Sequence, residues 1–181
     1  MKKILFSTLS VFLLGSALNA AEYKLDNAHS SVNFKIKHMG VSTTNGNFKN
    51  FAAMFDFDGE KINKLEASVD TASVNTENEK RDMHLKAADF FDVAKFPEMK
   101  FVMKEQTGDK VIGDLTIKDV TKSVEFEYEF GGSNVDKNGK EHIGFSLEGK
   151  IKRSDFNFAP TSNTAMLGDD IKISIDVEAI K

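Results

Sequence analysis

Cysteine and tryptophan are absent from this 181-residue chain, and there are only two prolines and two tyrosines. Without cysteine there is no disulfide framework, no thiolate zinc site, no iron–sulfur cluster and no thiol nucleophile. Cationic excess is missing as well: 24 Lys and Arg stand against 28 Asp and Glu, a formal charge of −4. That balance argues against nucleic acid, whose binding rests on neutralising phosphates. Against these shortages stands a surplus of 16 Phe. Phe supplies bulky apolar surface with no hydrogen-bonding handle. The length suits one domain with a sizeable core.

Residues 1–20 read as a secretory signal peptide rather than as part of the fold. Met1-Lys2-Lys3 is a basic start, Ile4 to Leu14 is an apolar run, and Gly15 to Ala20 supplies small residues at a cut. The run is too short for a membrane span, which needs about 20 residues. No Cys follows it, which excludes lipid attachment at a lipobox. Cleavage is expected after Ala20 and the destination is expected to be a bacterial periplasm. Residues 1–20 carry two Lys and no acid, so the chain from residue 21 onward has a charge of −6.

Period-two alternation then recurs along almost the whole chain. Val32, Phe34 and Ile36 oppose Asn33, Lys35 and Lys37. Phe51, Ala53, Phe55 and Phe57 share a face, as do Leu65, Ala67 and Val69. Val124, Phe126, Tyr128 and Phe130 alternate with Glu125, Glu127 and Glu129. Phe145, Leu147 and Ile151 form another set, and Ile171, Ile173, Ile175 and Val177 the last. Shorter candidates lie at Phe101–Lys104 and Val111–Ile117. One face of each strand is apolar, as for a sheet with one buried side. Roughly eight strands with hairpin-length links predict an all-β fold, an antiparallel eight-stranded up-and-down barrel. A sandwich has the same alternation and stays open as the alternative. Asn45-Gly46, Asp58-Gly59, Gly108-Asp109 and Asn138-Gly139 are the expected turns.

Two segments interrupt the meander. Thr76 with Glu79 reads as a capping box for a short inserted helix reaching about Ala88. Asp89 to Asp92 begins another turn carrying Phe90 and Phe91, and Pro97 holds Phe96 extended. Arg153 to Asp170 contains Phe156, Phe158 and Pro160 but no clean period, a pattern met in lids and binding loops.

The residues of these same segments resemble the YceI family, secreted bacterial proteins also described as polyisoprenoid-binding. The resemblance begins with Tyr23-Lys24-Leu25-Asp26, His29-Ser30, Val32, Phe34, His38, Gly40, Gly46 and Phe48. Its most specific part runs through Arg81, His84-Leu85, Asp89-Phe90-Phe91-Asp92 and Lys95-Phe96-Pro97. Gly113 to Ile117, Val120-Thr121 and Arg153-Ser154-Asp155-Phe156 complete it; Asn157 stands where relatives often have Gly. The resemblance spans residue 22 to the C-terminus. It implies that residues 21–181 form a lipocalin-like barrel whose interior holds a long isoprenoid, quinone-like or similar lipid, and it also implies a homodimer.

Burying each methylene of such a chain gains about 0.8 kcal/mol, and a Phe-rich wall with few polar groups suits it. The candidate lining is Phe34, Ile36, Phe55, Leu115, Phe126, Tyr128, Phe145 and Leu147 from the strands. Phe90, Phe91, Phe156 and Phe158 join it from the irregular segments. Taken singly, most inward aromatics are simply core. His38 continues the inward parity of Ile36 toward a head group, or else bonds to loop backbone. Arg81 and His84 share a helix face and are candidates for a head group, with pairing of Arg81 to Asp89 or Asp92 as the structural alternative.

His29, His38, His84 and His142 lack a metal-ligand spacing such as H-x-H or H-E-x-x-H, so no metal or other cofactor is expected. Ser30 beside His29 is no triad, because adjacent strand residues point to opposite faces. No enzyme is predicted. The expected function is a periplasmic lipid carrier, in transient contact with inner-membrane proteins. The alternative is a non-enzymatic stress or assembly protein that uses the barrel as a scaffold.

Overall fold

The structure, a computed structural model, describes residues 21–181. The expected leader with its cut after Ala20 lies outside the described residues. Eleven strands occur in chain order: β1 (Ala21–Leu25), β2 (Ser31–His38), β3 (Ser42–Phe48), β4 (Phe51–Asp58), β5 (Lys61–Asp70), β6 (Val74–Asn75), β7 (Glu98–Thr107), β8 (Lys110–Ile117), β9 (Val120–Val135), β10 (Glu141–Lys152) and β11 (Leu167–Ile180). One helix, α1 (Glu79–Leu85), sits between β6 and β7.

Every pairing in the sheet is antiparallel, and the strands merge into eight staves. β1 and β2 run along the same neighbour, β11, the first through Leu25 opposite Ala179 and the second through Ile36 opposite Ile171. They form one stave broken at residues 26–30. β3 and β4 make the second stave, against β2 and β1 in turn. β5 and β6 make the third, facing β4 and β3. β7 to β11 follow as single strands. The ring closes where Lys24 and Leu25 of β1 meet Ile180 and Ala179 of β11. That closure decides between the two architectures, since a sandwich leaves its sheets open.

The alternation holds in three dimensions. Phe126 and Tyr128 are buried while Glu125, Glu127 and Glu129 are exposed, and Phe55 is buried while Met54 is exposed. Bulges re-aim four strands, at Asp56/Phe57, Met103/Glu105, Gly144/Phe145 and Leu167/Ile171. The turns at Gly59, Gly108 and Gly139 carry φ of +67°, +61° and +80°, which glycine adopts without steric cost. Asn45-Gly46 is not a turn. Both residues are paired inside β3, opposite Lys35 and Phe34, and the chain reverses instead at Met39-Gly40.

The inserted helix is shorter than its sequence pattern suggests, and a different residue caps it. Asn78 accepts a hydrogen bond from the Arg81 backbone N–H at 3.0 Å, and Asn is among the strongest N-caps. The Thr76 hydroxyl is occupied elsewhere, donating to Asp82 and accepting from Arg81 Nε at 2.7 Å. The helix stops at Leu85 because the chain folds back on it, with Phe91 N–H donating to the Leu85 carbonyl at 3.0 Å. A seven-residue helix with no buried residue of its own has little intrinsic stability. The side-chain network at Thr76, Arg81 and Asp82 fixes it.

A hollow between two aromatic clusters

The interior holds two apolar clusters, one toward each end of the barrel. The first gathers Tyr23, Phe55, Phe57, Ile62, Leu65, Phe101, Val111, Phe126, Tyr128, Ile143, Phe145, Leu147 and Ala179. It closes the end at which the β4–β5, β7–β8 and β9–β10 hairpins lie. The second gathers Phe48, Val74, Phe91, Met99, Ile117, Ile151, Phe156, Phe158 and Ala159. It lies under α1 and the β10–β11 connection, which together form a lid.

Between the clusters is a cavity of about 190 Å³ with an almost wholly apolar wall. Eleven of the residues expected from the sequence line it: Phe34, Ile36, Phe55, Phe90, Phe91, Leu115, Phe126, Phe145, Leu147, Phe156 and Phe158. The space exists because some inward rings lie flat on the wall rather than across the axis. Phe34 faces Gly46 on β3, and Phe126 faces Gly149 on β10. A Cβ at either glycine would overlap the ring opposite. Absence of that carbon lets the ring rest on bare backbone and leaves the axis open.

The other four expected residues lie outside the wall of the cavity. Tyr128 does point inward, but into the closed end. Its hydroxyl donates to the Glu60 carbonyl at 2.6 Å and its ring sits 5.9 Å from that of Phe145. Burial, with Glu60 nearby, pushes the Tyr128 phenol up to about 12. His38 is exposed, because the last rungs of β2 and β3, His38 opposite Ser42, project past the rim. His84 is exposed and packs edge-on against Phe90 at 4.7 Å. Arg81 pairs with neither Asp89 nor Asp92; it donates to the Thr76 hydroxyl and, at 2.8 Å, to the Thr76 carbonyl. Those bonds aim the guanidinium back along the chain and away from the cavity.

Arg153, one residue past β10, was not among the expected site residues and organises the lid. It is 3% exposed and lines the cavity. Its Nε donates to Gly168 at 3.0 Å. Nη1 donates to Phe158 at 3.2 Å and Ala159 at 2.8 Å, and Nη2 to Ser162 at 2.6 Å and Leu167 at 3.2 Å. All five acceptors are backbone carbonyls, which matches the five N–H donors of a guanidinium. The lid needs this clamp because it has no ladder of its own. Asn157 and Ala159 both sit at φ +50°, and Asn tolerates the left-handed region that Gly would otherwise supply. Ala159 N–H then donates to the Asp89 carbonyl at 2.9 Å, tying the two lid segments together. Phe158 meets Phe91 at 4.7 Å and Phe90 at 5.5 Å.

Further lining comes from Val32, Ile171 and Ile173, whose inward parity was legible, and from Phe48, Met99 and Leu167. Met99 shares the inward parity of Phe101 and Met103, whereas for Phe48 and Leu167 no periodic signal exists. Phe48 ends a strand rich in Ser, Thr and Asn, and Leu167 precedes a bulge.

Known proteins resemble this chain in sequence and fold. A family model described as a YceI-like domain matches residues 23–179. The Protein YceI of Salmonella arizonae is 39% identical, over 99% of this chain and 98% of its own length. The crystal structure of the Campylobacter jejuni YceI protein superposes with a TM-score of 0.76 at 49% identity, covering 89% of this chain and 98% of that one. Burkholderia cenocepacia BcnA superposes with a TM-score of 0.75 at 26% identity, covering 85% and 98%. A polyisoprenoid-binding domain from Saccharophagus degradans, at 14% identity and a TM-score of 0.67 over 87% and 97% of the two chains, shares the fold. The chain belongs to the YceI family.

Proposed function

We propose that this protein is a periplasmic carrier that encloses the tail of a long isoprenoid, quinone-like or similar lipid in its barrel. The observation that carries the reading is the apolar hollow of about 190 Å³. At about 24 cal/mol per Å³, leaving such a void of about 190 Å³ empty costs on the order of 5 kcal/mol. That is a large fraction of a domain's net stability of about 5–15 kcal/mol. A flexible apolar chain removes the cost and gains about 0.8 kcal/mol for each methylene taken out of water. The wall offers such a chain almost no polar contact, so recognition rests on shape and apolarity rather than on hydrogen bonds. The polyisoprenoid-binding description of one structural neighbour is consistent with the same class of ligand. An enzymatic role finds no support: the cavity wall joins no nucleophile to a base, and its one buried cation, Arg153, spends every donor on backbone carbonyls of the lid and of the start of β11.

Native mass spectrometry of the protein as purified, with solvent extraction of anything bound, tests the proposal. The expected result is one hydrophobic molecule per binding site. Leu115→Trp, which fills the hollow while keeping an apolar wall, should release it from a folded barrel. A clean unliganded mass that persists after incubation with polyprenyl lipids would overturn the carrier and favour the scaffold.

A further inference from the structure

We propose that the protein binds a divalent transition-metal ion, of the Zn²⁺ class, on the outside of the barrel through Asp26, His29 and Glu178. One ligand atom from each of these side chains lies within 4.8 Å of the other two, and among the described residues no other such group occurs. The site is independent of the lipid cavity, whose lining includes none of the three.

The three donors are held by the backbone rather than gathered by chance on long, free side chains. Asp26 follows the last residue of β1, and its N–H donates to the Glu178 carbonyl at 2.8 Å. The Asp26 carboxylate accepts from Ala28 N–H at 2.9 Å and the Asp26 carbonyl from His29 N–H at 3.2 Å. This turn presents His29 Nδ1 2.9 Å from Asp26 Oδ2. Ser30 Oγ donates to the Glu178 carbonyl at 3.2 Å and accepts from the Glu178 N–H at 2.9 Å. The turn and the strand are thereby locked in register. Glu178 in turn has an orienting partner, His142, whose Nδ1 lies 2.8 Å from Oε1.

One imidazole and two carboxylates with an open face toward solvent are the donor set of a three-ligand site completed by water. Partners such as His142 that orient a ligand typically matter 10- to 100-fold in affinity. A metal here would join the end of β1 to β11 where only two residue pairs, Lys24–Ile180 and Leu25–Ala179, close the ring. Sequence spacing misses the site because its third donor comes from a strand 149 positions after His29.

Calorimetric titration of ZnSO₄ into EDTA-treated, tag-free protein tests the assignment, with thermal unfolding as the second readout. The expected result is one Zn²⁺ per chain and a Tm about 5 °C higher at saturating metal. His29→Ala and Glu178→Gln should each weaken uptake at least tenfold and abolish the Tm shift, while both keep the backbone bonds of the seam. Shift of the His29 ring resonances on zinc addition should accompany binding. Absence of saturable uptake by the parent protein would overturn the proposal, as would undiminished uptake by both folded variants. Lipid retention is unaffected by either result.

Discussion

At the closed end of the barrel the aromatic side chains are fixed by strands; at the lid end they hang from short turns. Phe55, Phe126 and Phe145 alternate inward from hydrogen-bonded ladders, with Phe55 and Phe145 meeting edge-on at 5.8 Å. Phe90, Phe91, Phe156 and Phe158 have no ladder behind them. Their backbone is held by the Arg153 guanidinium and by single bonds such as Ala159 N–H to Asp89. Each end buries its central Phe almost completely, with Phe126 at 3% and Phe156 at 1% exposure, while Phe90 at the lid is half-buried. The difference lies in what must break for the end to open. Strand pairing yields only with the whole sheet, whereas the lid yields when a few side-chain bonds are lost, and locally held segments open at the lowest free energy. For the carrier proposed above, this makes the lid the route by which a ligand would enter and leave.

The largest predicted effect sharpens this contrast. Arg153→Met removes five donors and leaves the buried Phe158 carbonyl unpaired, while that of Ala159 keeps only the bond from Ser162 N–H. At about 1–3 kcal/mol per buried unpaired group, destabilisation of about 3 kcal/mol is expected in urea unfolding. Hydrogen exchange should rise across residues 157–168 while β9 and β10 stay protected. Equal loss of protection at both ends would break the comparison.

Gly149→Val probes the space between the ends. The new side chain meets the Phe126 ring and drives it toward the axis. Overpacking of this kind costs about 1–3 kcal/mol, and uptake of an apolar probe by the cavity should fall sharply. Unchanged uptake would mean that the flattened ring does not set the volume.

The smallest effect is spectroscopic. The phenol of Tyr128 is raised to about 12 and that of Tyr23 is also raised, both chiefly by burial. A folded pKa above the unfolded value of about 10 means stability that is full below pH 10 and is lost as pH climbs through the folded value. Absorbance of the Tyr128 phenolate should therefore stay near zero at pH 10 in the folded protein and appear only as the closed end gives way, with ionisation of Tyr23 delayed in the same direction. Titration of either tyrosine at its ordinary value would show that this end is not sealed.

Much of the barrel was legible because period two is a direct imprint of one buried face. Val124 to Phe130 and Ile171 to Val177 needed no tertiary information to be assigned a strand and an inward side. The lid was legible only as an interruption. Phe90, Phe91, Phe156 and Phe158 could be placed near a pocket by their chemistry, but no local rule supplies the direction of a turn. His38 shows the opposite failure. Its parity is inward, yet the two strands outrun the barrel at that point, and where a strand leaves its core is not written in its alternation. Thr76 misled for a related reason. The pattern of a capping box was present, but Asp82 and Arg81 compete for the same hydroxyl.

The sequence by itself determined an apolar-faced antiparallel sheet, its strand faces and the aromatic character of its interior, because those follow from periods of a few residues and from side-chain chemistry. Closure, the hollow and the clamp were decided by tertiary structure alone. Leu25 must meet Ala179, Phe126 must find Gly149 across the strand, and Arg153 must find carbonyls scattered over residues 158–168. Each of these depends on distances between residues far apart in the chain, which no local pattern encodes.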